Sequence, residues 1–425
     1  MSTAFPIVPW GNGTNIYEVN VRQYTKEGSL QAFMQHVPRL ADMGVEILWL
    51  MPVTPVSVEK RKGSYGSYYA ASSYTDIDPL YGNEQDFHAL ITLVHSLGMK
   101  LIIDWVANHT GYDHQWTKKY PEFYRKDSTG NFTGLYGWED VIDLDYRIPE
   151  LRAEMIRSMK HWVETYDIDG FRCDMARTVP IDFWVEARGE CDALKPLFWL
   201  AECEILAYHE AFDVTYGWEA LRAFDKYFKG ELAMTEVRPL LNNYGLYPVG
   251  SEKLLFTSNH DENSDHGTEY EKYGVAAQAM AVLSCTWPGI PLLYSGQELP
   301  NKRRLHFFEK DFIDWQPEVE LHGFYQLLFG LRKRNKALQE SASVIMLDSG
   351  NDDSLVYLCR RQQDKVLVML NLSARPSVIK IDHPAVAGTY LELFSGKEET
   401  LQRAYHLELP PGDYRVYHIT SGRQA

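Results

Sequence analysis

Short apolar runs alternate with longer amphipathic stretches along most of the chain. The runs have the length and side-chain types of buried strands, whereas the stretches between them carry apolar residues at helical spacing. Eight runs predict strands, and they begin at Asn15, Ile47, Lys100, Gly170, Leu197, Phe212, Leu254 and Pro291. This alternation is typical of an α/β fold, and eight units favour a closed (β/α)8 TIM barrel. An open doubly wound sheet is the alternative, but no GxGxxG turn follows the first strand.

Helix boundaries and uneven spacing predict the domain organisation. Residues 30–44 and 84–98 each predict a helix that ends in glycine, and Pro149 begins another. The segment between the third and fourth strands is longer than one helix requires, which predicts an inserted subdomain at about 111–146. The chain then changes to short alternating strands separated by turn residues. We therefore expect a barrel domain over residues 1–340 and a C-terminal antiparallel β-sandwich domain over residues 341–425.

Charge and composition exclude several classes of protein. The chain has 42 Lys and Arg against 58 Asp and Glu, and a net charge of −16 repels nucleic acid. No apolar stretch approaches the roughly 18 residues that a membrane span needs, so we expect no membrane partner. The N-terminal sequence MSTAFPIVPWGNG lacks the pattern of a secretory signal, which predicts a cytoplasmic location. Five scattered cysteines without a CxxC pair predict free thiols.

Four of the predicted strands end in an acidic residue. Asp104, Asp174, Glu202 and Asp261 follow the third, fourth, fifth and seventh strands. The carboxyl ends of all barrel strands open on one face, where the active sites of such barrels lie. Arg172 shares a face with Asp174, because side chains alternate along a strand. This arrangement predicts an active site at the mouth of the barrel.

Clustered carboxylates can bind a divalent cation or divide the roles of glycoside cleavage between them. The permanent positive charge of Arg172 opposes a metal beside Asp174 and keeps that carboxylate ionised. The pattern therefore favours a glycosidase over a metal-dependent barrel enzyme.

The segments around these acids resemble the motifs of the α-amylase family of retaining glycosidases, glycoside hydrolase family 13. DWVANHT, GFRCDMA, LAECE and FTSNHD match the family's motifs after the third, fourth, fifth and seventh strands, in the same order. PGIPLLYSGQE resembles the region of the eighth strand, and a C-terminal β domain is typical of the family. The resemblance covers nearly the whole chain, and four ordered motifs are specific.

The resemblance implies a role for each matching residue. It makes Asp174 the nucleophile, Glu202 the general acid/base and Asp261 the carboxylate that stabilises the transition state. The residues that it implies for substrate binding are Tyr69, Asp104, His109, Arg172 and His260, with Tyr69 as the platform under the sugar ring. Tyr68 is the alternative platform, one position earlier.

The resemblance also implies the substrate class. We expect cleavage of α-1,4-glucosidic bonds in starch or maltooligosaccharides by a retaining double displacement. The alternatives within the family are a glucanotransferase, a cyclomaltodextrinase or neopullulanase, and an α-1,6-glucosidase. A barrel that binds carbohydrate without catalysis is the alternative from another class.

Two expectations depend on the short insert. No cofactor is expected to be required, although Asn108 matches a position that often binds structural calcium together with acids of the insert. The other interpretation is that Asn108 hydrogen-bonds its own loop. The insert is also too short to wall the catalytic subsite, which favours an open groove and internal cleavage, unless the loops after the second and eighth strands close it. The insert's aromatic residues either line subsites or form its core, and they are Tyr112, Trp116, Tyr120, Tyr124, Tyr136 and Trp138.

Overall fold

The structure is a computed structural model that describes residues 5–134, 136–241 and 250–420. Its strands in chain order are β1 (Ile16–Val19), β2 (Ile47–Leu50), β3 (Lys100–Trp105), β4 (His109–Gly111), β5 (Val141–Asp143), β6 (Gly170–Cys173), β7 (Phe198–Ala201), β8 (Val214–Tyr216), β9 (Glu252–Leu255), β10 (Ile290–Tyr294), β11 (Ser343–Leu347), β12 (Ser354–Arg361), β13 (Asp364–Asn371), β14 (Ser377–Asp382), β15 (Gly388–Glu392), β16 (Glu398–Leu401), β17 (Ala404–Leu409) and β18 (Tyr414–Ile419). Its helices are α1 (Val21–Tyr24), α2 (Leu30–Met34), α3 (Val37–Met43), α4 (Glu84–Ser96), α5 (Gln115–Lys119), α6 (Pro149–Tyr166), α7 (Ile181–Asp192), α8 (Trp218–Phe228), α9 (Met234–Leu241), α10 (Glu269–Tyr273), α11 (Ala277–Thr286) and α12 (His322–Arg334).

Eight parallel strands close into a barrel in the order β1-β10-β9-β8-β7-β6-β3-β2. The predicted (β/α)8 barrel is therefore confirmed, and each of the eight apolar runs contributes one of its strands. The helix expected over residues 30–44 is instead divided into α2 and α3. Pro38, in the first turn of α3, explains the break, because a proline ring clashes with the preceding helical turn. Gly44 ends α3 in the left-handed conformation, at a φ of 92°.

The interior of the barrel changes character along its axis. Ile16, Ile102 and Leu254 belong to the apolar cluster that fills its lower part. Two residues further along their strands, Glu18 and Asp104 are polar and still buried. Because the side-chain direction repeats every second residue, these acids point into the same interior as the apolar residues below them. The polar layer therefore lies at the carboxyl end of the barrel.

The insert between β3 and β6 forms a small unit of its own. Strands β4 and β5 pair in an antiparallel manner, with His109 opposite Asp143. Trp116 and Tyr124 are buried in it. The pairing of β4 with β5 places this unit beside the carboxyl end of β3.

The C-terminal strands form an antiparallel β domain, as predicted. A six-stranded sheet has the order β11-β12-β13-β18-β15-β16, and β14 pairs with β17. Val356 and Leu358 of β12 lie in one apolar cluster with residues of the β14–β17 pair. Leu355 and Tyr357 face the other way and join the core that contains the barrel helices, where the Tyr357 hydroxyl is 2.6 Å from Thr286 Oγ1. The large sheet is thus covered on both faces.

Strands β11 and β16 do not show the alternation of apolar and polar residues that predicts the other C-terminal strands. β16 has the sequence EETL, and only its last residue is buried, so it lacks the alternation that predicts a strand. β11 is likewise exposed or half-buried until Leu347. Both are edge strands of the six-stranded sheet, where one neighbour suffices for pairing. The domain boundary at residue 341 and the insert's limits stay predictions, and residues 1–4, 135, 242–249 and 421–425 within these ranges lie outside the described part.

Within the described ranges, no helix has both the length and the apolar character that crossing a membrane requires.

Candidate active site

Arg172 on β6 binds three of the predicted site carboxylates at once. Its Nη1 lies 2.9 Å from Asp104 Oδ1 and 3.1 Å from Asp174 Oδ1, and its Nη2 lies 3.1 Å from Glu202 Oε1. Its Nε donates a hydrogen bond of 3.1 Å to the Tyr216 hydroxyl. The guanidinium is fully buried, and a buried charge is tolerated only when it is paired. The cation therefore fixes the positions of carboxylates from three neighbouring strands.

Asp104 lies beneath the cleft and is held by neutral donors as well as by Arg172. The indole Nε1 of Trp49 and the hydroxyl of Tyr69 each donate to Asp104 Oδ2 at 3.2 Å. Burial raises the pKa of Asp104 to about 6, although Arg172 opposes this shift. Because all these partners surround it, Asp104 supports the site from below.

Asp174 and Glu202 follow adjacent strands and reach the cleft with small exposed fractions, 9% and 13% of their side chains. Burial and the nearby Glu202 raise the pKa of Asp174, and Arg172 lowers it. Glu202 Oε2 accepts a hydrogen bond of 2.7 Å from the backbone N–H of Met175. Met175 has a φ of 45°, a left-handed conformation that is strained for a side chain other than glycine. The strained residue directly after Asp174 thus orients Glu202.

His260 connects the first strand of the barrel to the cleft. Its Nδ1 lies 2.5 Å from Glu18 Oε1, and its Nε2 lies 2.7 Å from the Tyr69 hydroxyl and 3.3 Å from Asp261 Oδ2. Burial alone would lower the pKa of His260, but the carboxylates of Asp261 and Glu18 raise it to about 9. The imidazole is therefore cationic at neutral pH, with Glu18 and Tyr69 fixing its ring and Asp261 held beside it.

His109 contrasts with His260 in charge. It begins β4, and burial lowers its pKa to about 4, so it is neutral at neutral pH. Its ring lies 5.5 Å from that of Trp138 and forms part of the cleft wall. The site thus presents one neutral and one cationic imidazole.

Asn108 hydrogen-bonds its own loop. Its Nδ2 lies 3.1 Å from His109 Nδ1 and donates to Asp143 Oδ1 at 3.5 Å. Two other acids of the insert contact cationic side chains: Asp140 pairs with Lys62, and Asp145 accepts from the Arg147 guanidinium. Among the described residues, no group of three or more His, Cys, Asp or Glu could hold a metal ion. Of the acids of the insert named here, Asp143 is therefore the one in contact with Asn108, and Asp140 and Asp145 contact cationic side chains.

The cleft has a volume of about 280 Å³ and brings most of the predicted site residues together. Those that line it are Tyr69, His109, Asp174, Glu202, His260 and Asp261. Asp104 and Arg172 lie beneath them. Of the two neighbouring tyrosines, Tyr69 lines the cleft, whereas the ring of Tyr68 packs under the Arg22 guanidinium at 3.6 Å.

The sequence did not point to several residues that shape this site. Glu18, Trp49 and Tyr216 contact the predicted residues from β1, β2 and β8. Each occupies an inward position near the carboxyl end of its strand, so strand alternation was a usable signal for them. Other cleft-wall residues come from loops and gave no such signal, and they include Lys62, Ser67, Asp140, Asp265, Phe307 and Phe308.

The insert's aromatic residues divide between core and cleft. Trp116 and Tyr124 are buried, and Tyr112 and Tyr120 pack against the core. Tyr136 and Trp138 are 44% and 39% exposed, and Trp138 lines the cleft. Most of these rings therefore build the insert itself.

Comparison with known proteins gives two matching family models. The model described as the catalytic domain of alpha amylase matches residues 11–141, and the model of the maltogenic amylase C-terminal domain matches residues 344–416. The first range includes Tyr69, Asp104 and His109. The two matches follow the same order as the barrel and the C-terminal β domain.

Relatives match over most of the chain. An α-amylase of Haloarcula japonica is 26% identical over 396 residues, which cover 87% of this chain but only 57% of the relative's length. A cyclomaltodextrinase of Geobacillus thermopakistaniensis is 23% identical over 435 residues, which cover 93% of this chain and 71% of that protein. The crystal structure of a noncanonic maltogenic alpha-amylase of Thermotoga neapolitana superimposes with a TM-score of 0.88 at 28% identity, covering 96% of this chain and 99% of that one.

Proposed function

We propose that the chain is a glycosidase of the α-amylase family that cleaves α-1,4-glucosidic bonds in starch or maltooligosaccharides with retention of configuration. The observation that carries the proposal is the binding of Asp104, Asp174 and Glu202 by the single guanidinium of Arg172. A retaining glycosidase needs two adjacent carboxyl groups with different tasks. This arrangement holds two carboxyl groups side by side at the cleft.

In the first step, the bond between the anomeric carbon and the glycosidic oxygen breaks. Glu202 gives its proton to that oxygen, while Asp174 Oδ attacks the anomeric carbon and forms a covalent glycosyl-enzyme ester. Arg172 favours the ionised form of Asp174, and the Met175 N–H holds Glu202 in place.

In the second step, water replaces the leaving group. Glu202, now ionised, takes a proton from the water, whose oxygen attacks the anomeric carbon and releases Asp174. Two inversions at the same carbon give net retention, so the first product has the α configuration.

Asp261, with 42% of its side chain exposed, is the most accessible of the catalytic carboxylates. Its negative charge stabilises the oxocarbenium-like transition state. Tyr69, His109 and His260 surround the ring that carries the reacting carbon, with Tyr69 as its platform. His260 keeps Asp261 on this side of the cleft through their contact of 3.3 Å.

The substrate partner is an α-glucan or a maltooligosaccharide. The relatives that match the chain include proteins named as α-amylases and cyclomaltodextrinases. A cyclomaltodextrinase-like activity is therefore the second candidate, with the same residues in the same chemical roles. No cofactor enters the proposed reaction.

Product analysis on soluble starch, pullulan, β-cyclodextrin and maltotriose tests the proposal. We expect reducing ends from starch and maltotriose, and an α-anomer as the first product in proton NMR. Preference for β-cyclodextrin over starch would favour the second candidate. A β-anomer as the first product would contradict the retaining mechanism, and binding of all four glucans without turnover would indicate a carbohydrate-binding barrel.

A further inference from the structure

Three separate segments build one wall of the cleft. The loop after β2 contributes Lys62, the insert contributes Asp140, and the loop after β10 contributes Phe307 and Phe308. From the sequence we expected an open groove because the insert is short. In the structure the loops after β2 and β10 supply much of the wall that the insert does not.

These segments are joined to one another. Lys62 Nζ lies 2.8 Å from Asp140 Oδ1, which ties the β2 loop to the insert. The backbone N–H of Tyr65 donates to the Phe308 carbonyl at 3.0 Å, and that of Ser64 donates to the Glu309 carboxylate at 3.2 Å. The β2 loop is therefore held to both neighbours. Asp113 of the insert also accepts from the backbone N–H groups of Val58 and Glu59, but the Lys62–Asp140 ion pair is the link whose two residues line the cleft.

The wall stands on one side of the reacting centre. Phe307 lies parallel to the ring of Tyr69, with centroids 6.4 Å apart, and Trp138 packs against His109. Under the proposed function, Tyr69 and His109 hold the sugar ring that forms the covalent intermediate. The reducing-end part of the chain departs with the proton from Glu202. The part that stays on Tyr69 and His109, beside the wall, therefore carries the non-reducing end.

We propose that the Lys62–Asp140 bridge closes the non-reducing-end side of the cleft, so that the enzyme releases short products of uniform length from chain ends. This inference rests on the proposed function and adds its mode of cleavage. A polysaccharide that continued past this side would have to displace the bridge. While the bridge is open, a longer chain can pass through the cleft beyond this side, and a cut made in that state is internal.

The bridge is a weak link. Lys62 is 39% exposed, whereas Asp140 is 7% exposed, so water and salt screen the pair on the side of the lysine. An ion pair of this kind shifts an equilibrium by at most about fivefold, which is equivalent to about 1 kcal/mol. Loss of the bridge is therefore expected to raise the fraction of internal cuts severalfold. It is not expected to convert the enzyme fully from cleavage at chain ends to internal cleavage.

The experiment measures viscosity loss of amylose per reducing end released. We expect the wild type to leave the viscosity high while short products accumulate. Lys62→Met removes the charge but keeps a long apolar side chain, and it should increase viscosity loss per bond by about two- to fivefold, the range that an exposed pair controls. Lys62→Arg keeps the charge and should behave as the wild type does.

Lys60→Ala is the matched control, because Lys60 lies on the same loop and contacts the insert through the ring of Tyr112 at 3.6 Å, but neither of these residues lines the cleft. It should leave both activity and cleavage mode unchanged. High salt should raise the viscosity loss per reducing end of the wild type towards that of Lys62→Met, and it should leave the value for Lys62→Met unchanged. A rapid fall in viscosity with the wild type, or the same ratio for Lys62→Met and wild type, would overturn the inference. Absence of reducing ends from every α-1,4-glucan would refute the proposed function instead.

Discussion

The two ends of the barrel interior use the same strands for opposite purposes. Leu200 and Glu202 lie two residues apart on one face, yet Leu200 is sealed in an apolar cluster and Glu202 faces the cleft. Leu200 is the register partner of Arg172 on the neighbouring strand, so the apolar layer and the charged layer are in direct contact. Burial of apolar area stabilises the lower layer, whereas the upper layer keeps charges in place at a desolvation cost. The difference teaches that stability and chemistry are separated along the barrel axis.

The sharpest test of this separation removes the proposed acid at the upper layer. Glu202→Gln should lower kcat/KM on starch by at least about 10³-fold, because the first step loses its proton donor. The melting temperature should stay within a few degrees of the wild type, since the amide can still accept from the Met175 N–H. Activity assays and thermal unfolding measure the two effects.

Glu210→Gln is the matched control for this change, because Glu210 is an exposed carboxylate in the same loop region. It should leave turnover unchanged. Half of the wild-type activity in Glu202→Gln would remove Glu202 from its proposed role.

The complementary change is made in the lower layer. Leu200→Ala should cost about 2–5 kcal/mol in the free energy of unfolding, because it opens a cavity in a fully buried cluster. Turnover per folded molecule should fall far less than in Glu202→Gln. Denaturant unfolding and active-site-normalised kinetics separate the two quantities, and a loss of turnover as large as that of the acid variant would mean that the layers are not separable.

A smaller effect is expected at the border between the layers. Glu18→Gln removes a buried charge that raises the pKa of His260, so the alkaline limb of kcat/KM should move to lower pH. In the wild type, the pKa of His260 is raised by folding, so its stabilisation is complete below about pH 6.5, the unfolded value. That stabilisation is lost as the pH rises towards 9. The decrease in the free energy of unfolding over this pH range should be smaller in Glu18→Gln than in the wild type.

The measurements are the pH profile of kcat/KM and the free energy of unfolding against pH. Glu59→Gln, on an exposed residue of the β2 loop, serves as the control with the same change in net charge. An alkaline limb at the same pH in Glu18→Gln and wild type would show that Glu18 does not act on His260.

The smallest effect is expected from metal removal. Asp140 and Asp145 are paired with Lys62 and Arg147, so calcium would have to displace both cations to bind there together with Asn108. Prolonged EDTA treatment should therefore change neither the activity nor the melting temperature. Inactivation and a lowered melting temperature, both reversed by calcium, would contradict this expectation.

The sequence by itself determined the barrel, the C-terminal β domain and the location of the acids at the strand ends. These depend on local signals: a two-residue alternation in strands, helical spacing between them, and short motifs at Asp104, Asp174, Glu202 and Asp261. Once the barrel closes, the carboxyl ends of its strands meet at one face. The convergence of these acids therefore followed from topology alone.

Only the tertiary structure decided which residues meet from distant parts of the chain. Glu18 contacts His260 across 242 positions of sequence, and Lys62 meets Asp140 through loops without periodic pattern. It also decided that Tyr69 lines the cleft while Tyr68 packs inward, and that most of the insert's aromatic rings form its core. The physical reason is that loop paths and ring orientations are fixed by packing against neighbouring segments, and a local pattern of apolar and polar residues carries no record of those neighbours.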